Sequence, residues 1–187
     1  MAVTRAVWLV FLVLLIAVLV AIPFGIRQRY EGFSVPSASM VPTLLPGDYI
    51  LVDKSVRDPA RGDLIVFQDA DDATQQLVKR VVGLSGEDVH VAGRQVFVGC
   101  DPTAADCQAL PEPYADFSDR PVAPDKSGMW HVPAGRFFVM ADNRNAGEDS
   151  RHYGTVRWQQ ITGRPFLIYW SSDPGGGIRW GRIGRIH

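Results

Sequence analysis

From Ala6 to Ile26 the chain runs 21 residues without a charge, between Arg5 and Arg27. A helix with no polar face is not a surface helix of a water-soluble domain. At that length it spans roughly 30 Å, about one bilayer core. A cleavable leader is the alternative, but its apolar part runs about 7–15 residues and ends in small residues. Here the run is longer, and Ile22-Pro23-Phe24 stands where small residues belong. The reading is one transmembrane helix over about residues 6–26, inside an N-terminal segment 1–29, followed by a domain over 30–187. Arg5 before the span and Arg27 and Arg29 after it leave orientation undecided by charge count.

After Arg29 the apolar pattern changes period. Short alternating runs replace the helix: Tyr49 to Val52, Asp63 to Phe67, Gln76 to Val82, Arg136 to Met140 and Pro165 to Trp170. Val89-His90-Val91 and Val96-Phe97-Val98 flank Ala92-Gly93-Arg94 and read as a hairpin. Pro46-Gly47, Ser85-Gly86 and Asp173 to Gly177 supply turns. The expected fold class is mainly β, an antiparallel sheet domain behind one membrane helix. Residues 99–133, rich in Pro, Asp and Ala, read as an irregular cap or insertion. Trp158, Phe166, Trp170 and Trp180 fit either a membrane-facing surface or the core.

Apolar residues make up 47% and charged residues 21%, which suits a folded chain and not a disordered one. The formal charge of −1 offers no basic field for nucleic acid. Cys100 and Cys107 are the only two cysteines, with six residues between them. An even pair in a loop suits a local disulfide in an oxidising compartment, with two reduced thiols as the alternative. His90, His131, His152 and His187 show no metal-ligand spacing, and two cysteines are too few for a zinc site. No metal and no cofactor is expected.

Lysine usage is informative. Against 16 arginines the chain has three lysines, Lys54, Lys79 and Lys126. Lys54 and Lys126 lie among turns and charges and read as surface amines. Lys79 lies in Leu77-Val78-Lys79-Arg80-Val81-Val82, where strand alternation puts it on the face of Leu77 and Val81. An amine on an apolar face either snorkels to water or sheds its proton, which lysine can do and arginine cannot. Lys79 is therefore a candidate general base. Ser37 and Ser39, held between Pro36 and Pro42, are candidate nucleophiles on a stiff segment. A Ser–His–Asp arrangement stays open, because triad members need not be neighbours in sequence. A third polar run, Met140 to Gly154, holds Asp142, Arg144, Asp149, Ser150 and Arg151. It is no calcium loop, because Arg144 stands where an oxygen ligand is needed.

These segments, in this order, resemble the type I signal peptidases, membrane-bound endopeptidases with a Ser–Lys dyad. Ser37 to Leu44 matches the serine box S-x-S-M-x-P-T-L. Lys79 to Glu87 matches the lysine box K-R-x-x-G-x-x-G-D/E, and Asp142 to Arg151 matches G-D-N-R-x-x-S-x-D-S-R after its first glycine. The resemblance covers nearly the whole chain. It implies Ser39 as nucleophile, Lys79 as general base, and the Ser39 N–H with the Ser37 hydroxyl as oxyanion hole. Asp142, Arg144, Asp149, Ser150 and Arg151 would support the site. It implies cleavage after small residues, preprotein substrates with signal peptides, contact with a lipid bilayer, and a single-pass bacterial inner-membrane protein with its domain outside the cytoplasm. A pilin-processing peptidase of the same chemistry, or a catalytically dead binder of signal peptides, are the competing readings. Oligomeric state is not legible. Two positions depart from the boxes. Ala141 replaces a glycine, and Gly147 replaces a serine whose hydroxyl orients the lysine in the family. A water, Ser150 or another hydroxyl is expected to substitute.

Overall fold

The computed structural model describes residues 2–56, 58–70, 72, 74–117 and 127–186. Lys126, His187 and the part of the expected insertion over 118–126 lie outside the described residues.

The apolar run forms α1 (Ala2–Arg29), of 28 residues. Over Phe11–Arg29 its mean hydropathy is 2.2, and none of that stretch is buried in the protein. The helix runs straight into β1 (Tyr30–Val35). The strands that follow are β2 (Asp48–Asp53), β3 (Leu64–Gln68), β4 (Gln76–Gly83), β5 (Asp88–Ala92) and β6 (Gln95–Val98). Then come β7 (Gly128–His131), β8 (Arg136–Met140), the one-turn helix α2 (Ser150–Tyr153), β9 (Val156–Arg157), β10 (Ile161–Ser171) and β11 (Gly184–Arg185).

The main sheet has the order β1-β2-β10-β3-β4-β8-β9, with β11 paired to β10. Its pairings are antiparallel. A smaller sheet, β6-β5-β7, contains the expected hairpin. Strand β7 falls inside the stretch read as irregular. Gly128-Met129-Trp130-His131 pairs with β5, so regular structure resumes before Pro133. Its glycine and its exposed Met129 hide the alternation that marks the other strands.

The central strands are buried on both faces, which explains their continuous apolar runs. On β3, Leu64 and Val66 face a core with Met40, Leu44, Ile50 and Val52. Ile65 and Phe67 face a second core with Val81, Phe137 and Val139. On β8, Phe138 and Met140 turn to a third core with Val82 and Val89. Each buried side chain of this size contributes about 1.5–3 kcal/mol. The second core and the first meet at β3, beside which β4 carries Lys79 opposite Ile65.

Candidate active site

Ser39 lies in the loop between β1 and β2. Met40 and Leu44, 1% and 0% exposed, sink into the first core and anchor this loop. The Asn143 N–H donates to the Ser39 carbonyl at 3.0 Å and ties the loop to the segment after β8. Gly47 closes the loop at φ +88, where a Cβ would strike the Ser172 carbonyl, so glycine is required. Asp48 follows, buried, and accepts from Arg182 (2.6 Å), the Ser171 hydroxyl (2.6 Å) and the Leu45 N–H (2.8 Å). This explains why Pro46-Gly47-Asp48 and the late arginines belong together.

Strand β4 delivers Lys79. Leu77, Val81, Ile65 and Phe67 belong to the core on its face, as alternation predicts. The residue is 4% exposed. Its Nζ stands 3.1 Å from the Ser39 Oγ and donates to the Val78 carbonyl at 3.2 Å. Burial pushes the amine below the ordinary lysine value, against the charges of Asp149 and Asp142, which raise it. The Ser37 Oγ lies 3.1 Å from the Ser39 Oγ. Lys54, by contrast, is a surface amine paired with Glu31 at 3.3 Å.

The third polar run wraps this pair, with partners that sequence reading does not supply. Asp142 is held not by Arg144 but by Arg80, through hydrogen bonds of 2.8 and 2.6 Å, and by the Thr43 hydroxyl at 2.5 Å. Arg144 instead grips Glu112 with two bonds of 2.8 and 2.5 Å. Asp149 does meet Arg151, at 2.9 and 2.8 Å, and accepts the Ala141 N–H at 3.0 Å. Burial alone would raise the Asp149 carboxyl, but Arg151 and the Ala141 N–H outweigh it and hold it below the usual range. The Ser150 Oγ accepts the Val139 N–H at 2.9 Å. Ser150 is therefore committed to β8. Among the described residues, the Val78 carbonyl is the second partner of the Lys79 amine, where the sequence reading names a water, Ser150 or another hydroxyl. Cys100 and Cys107 are disulfide-bonded, with Cα atoms 5.7 Å apart. No group of three or more His, Cys, Asp or Glu side chains suited to a metal ion occurs among the described residues.

Arg80, Thr43, Glu112 and Tyr114 are the site residues that sequence reading misses. Arg80 sits at 4.0 Å over the Tyr114 ring while holding Asp142. Its place on the lysine strand, on the opposite face, was the available signal.

A hydroxyl beside a buried amine whose pKa is lowered by desolvation is an arrangement suited to proton abstraction and nucleophilic attack. Residues 4–170 match the family described as signal peptidase, peptidase S26. The chain belongs to that family. A signal peptidase I from Leptolyngbya laminosa is 36% identical over 162 residues, covering 81% of this chain and 74% of that protein. A signal peptidase I from Pseudomonas fluorescens is 32% identical over 187 residues, covering 77% of this chain and 66% of that protein. A solved signal peptidase I from Enterococcus faecalis V583 aligns with TM-score 0.46 at 24% identity, covering 58% of this chain and 97% of that one. The peptidase S26 family places this chain among the serine endopeptidases, and its members' name supports signal-peptide removal.

Proposed function

We propose that the protein is a membrane-anchored endopeptidase that removes N-terminal signal peptides from exported preproteins, with Ser39 as nucleophile and Lys79 as general base. The observation that carries this reading is the 3.1 Å separation of the Ser39 Oγ and a Lys79 amine that is 4% exposed. A protonated amine could not take the serine proton. Desolvation favours the neutral form, which can take the role a histidine plays in other hydrolases.

In this mechanism Lys79 accepts the Ser39 proton as the Oγ attacks the scissile carbonyl. The Ser39 N–H and the Ser37 hydroxyl steady the oxyanion, each donor worth about 3–4 kcal/mol in comparable hydrolases. The resulting ammonium passes its proton to the leaving amine, and the acyl-enzyme remains on Ser39. Lys79, neutral again, takes a proton from the water that frees the acid. The Asp142, Arg144, Asp149, Ser150 and Arg151 set holds the loop in place and does not react.

The domain plan is an anchor over 1–29 and a peptidase domain over 30–187. The anchor reading is supported by 28 helical residues, about 42 Å long, whose apolar stretch is unburied. Trp158, Trp170 and Trp180 are 44%, 38% and 69% exposed, so they are not core. Phe166 is half-buried on Tyr30, 5.6 Å between ring centres. Trp170 and Trp180 meet edge-on at 6.4 Å, an aromatic pair of the kind that sits at bilayer interfaces. The Cys100–Cys107 disulfide suits a domain outside the cytoplasm, in a single-pass inner-membrane protein. Anchoring confines enzyme and substrate to one surface and raises their effective concentration.

The test is processing of a preprotein by the purified full chain in proteoliposomes. Wild type is expected to release the signal peptide at a small-residue site, and Ser39→Ala and Lys79→Ala to release none. Undiminished cleavage by Lys79→Ala would reject the dyad. Capture of the preprotein without cleavage by wild type would favour a binding module.

A further inference from the structure

One hydroxyl in the catalytic cleft has no part in the dyad chemistry. The cleft holds about 350 Å³, and Ser37, Ser39 and Tyr153 bring hydroxyls to its lining. The Ser37 and Ser39 Oγ atoms stand 3.1 Å apart, and Lys79 meets the second of them. Gln75, also on the lining, donates its side-chain amide to Asp72 at 2.9 Å. The Tyr153 hydroxyl has no hydrogen-bond partner among the described residues. The residue is 39% exposed, so it is open to a bound chain.

The fold holds this phenol firmly. Tyr153 closes α2, and the start of that helix is tied to β8. The Val139 N–H donates to the Ser150 Oγ at 2.9 Å, and the Ala141 N–H to Asp149 at 3.0 Å. The Tyr153 N–H bonds the Asp149 carbonyl at 3.2 Å, and Gly154, at φ +80, ends the helix directly behind it. The ring lies 6.5 Å, centre to centre, from that of Phe67, which is buried in the second core. A rigid aromatic stem loses little entropy when its tip engages a ligand. The hydroxyl also keeps its proton. Burial raises it above the ordinary tyrosine value, and the charges of Asp149, Asp69 and Glu148 add to that. Asp69 and Glu148 line the same cleft, so the hydroxyl senses the cleft's own charges. The site therefore presents a fixed, neutral donor without an acceptor.

An extended peptide supplies what is missing. Its main-chain carbonyls recur at every residue, whatever the side chains. From Gln75 to Lys79 the lining runs four strand rises, about 13 Å, so a peptide in this cleft brings roughly four residues past it. We infer that the Tyr153 hydroxyl donates to one main-chain carbonyl of the substrate, within about four residues of the cleaved bond, and so sets the register of the chain over Ser39. This rests on the peptidase reading above and adds a substrate-binding residue to it. A neutral hydrogen bond is modest, so its loss lowers kcat/KM roughly three- to tenfold. A contact made equally in ground and transition states shows in KM rather than in kcat.

The experiment uses the full chain in detergent micelles and peptides spanning a small-residue cleavage site. In a second set of peptides one amide at a time, other than the cleaved one, is replaced by an ester. The ester keeps the shape of the chain but makes that carbonyl a poorer acceptor. Y153F is expected to cleave the all-amide peptide roughly three- to tenfold less efficiently, with the loss in KM. At one position the ester is expected to slow wild type and leave Y153F nearly unaffected, because the bond it weakens is already gone. Comparing amide with ester on one preparation cancels any loss of folded enzyme. Wild-type kcat/KM in Y153F, or ester losses equal in the two enzymes at every position, overturns the inference and leaves the peptidase reading standing. If wild type cleaves none of the peptides, both fall together.

Discussion

Arg80 clasps Asp142 across 62 residues of sequence, with Nε to Oδ1 at 2.8 Å and Nη2 to Oδ2 at 2.6 Å. Both side chains are nearly dry, at 8% and 0% exposure. This clasp joins the lysine strand to the loop that holds the Ser39 carbonyl through Asn143. Removing one partner leaves an uncompensated buried charge. Arg80→Met is therefore expected to cost about 3–5 kcal/mol, which lowers Tm by roughly 10 °C in a chain of this size. Arg80→Met combined with Asp142→Leu should cost less than the sum of the two single changes. Additive losses in thermal melts would show that the clasp does not couple the two segments.

Lys79 gives a pH prediction with a definite sign. Its folded pKa lies below the ordinary 10.5, chiefly through desolvation. The acid limb of kcat/KM against pH is expected below that value, with activity rising as the amine loses its proton. A limb at the ordinary lysine value would reject a buried base. The same shift opposes folding. Where the unfolded chain binds the proton and the folded one does not, stability rises with pH. Lys79→Met should lose at least about a thousandfold in activity, yet melt no lower than wild type at neutral pH. The gap between them should change in favour of wild type as pH climbs toward 10.5.

Gly147 stands where the resemblance implies a serine. Its φ of +91 disfavours any side chain, and a Cβ there would come 3.0 Å from the Ser39 Cβ. Gly147→Ser is thus expected not to restore a missing hydroxyl but to push the nucleophile. Displacement of this kind costs roughly ten- to a hundredfold in kcat. Gly147→Ala should do the same. A serine variant that outperforms wild type would show that the amine needs a hydroxyl partner beyond the Val78 carbonyl.

Asp48 and Asp149 set the acid limit. Burial alone would raise both carboxyls, but Arg182, the Leu45 N–H and Ser171 on one, and Arg151 and the Ala141 N–H on the other, bring them below the ordinary 3.8. Groups with lowered folded pKa values stabilise the protein above the unfolded value and lose that contribution as pH falls through the folded one. Tm should hold from neutral pH to about 5 and then drop steeply toward 3. Asp48→Asn should be less stable at neutral pH and show a shallower drop. An equally steep drop in that variant would exclude Asp48 as a contributor.

Much of the architecture is readable locally. The strands β2 to β6, β8 and the later part of β10 announce themselves because alternation within four to eight residues reports which face is buried. The strands β1, β7, β9 and β11 escape because they are short or carry exposed side chains and glycine. The boxes name Ser39 and Lys79, and the isolation of one lysine among arginines on an apolar strand points to the same base.

The pairings around the dyad are another matter. Proximity in sequence suggests Asp142 with Arg144, whereas the fold joins Asp142 to Arg80 and Arg144 to Glu112. By itself the chain determined a membrane-length helix, a β domain and the two candidate reacting side chains, because period, length and residue type are local properties. Only the tertiary structure decided that serine and lysine, 40 positions apart in sequence, meet, which charge neutralises which, and that Val78 takes up the amine. Desolvation and ion pairing are sums over neighbours in space, and those neighbours come from β3, β4, β8 and the loop after it, brought together only when the sheet closes around its cores.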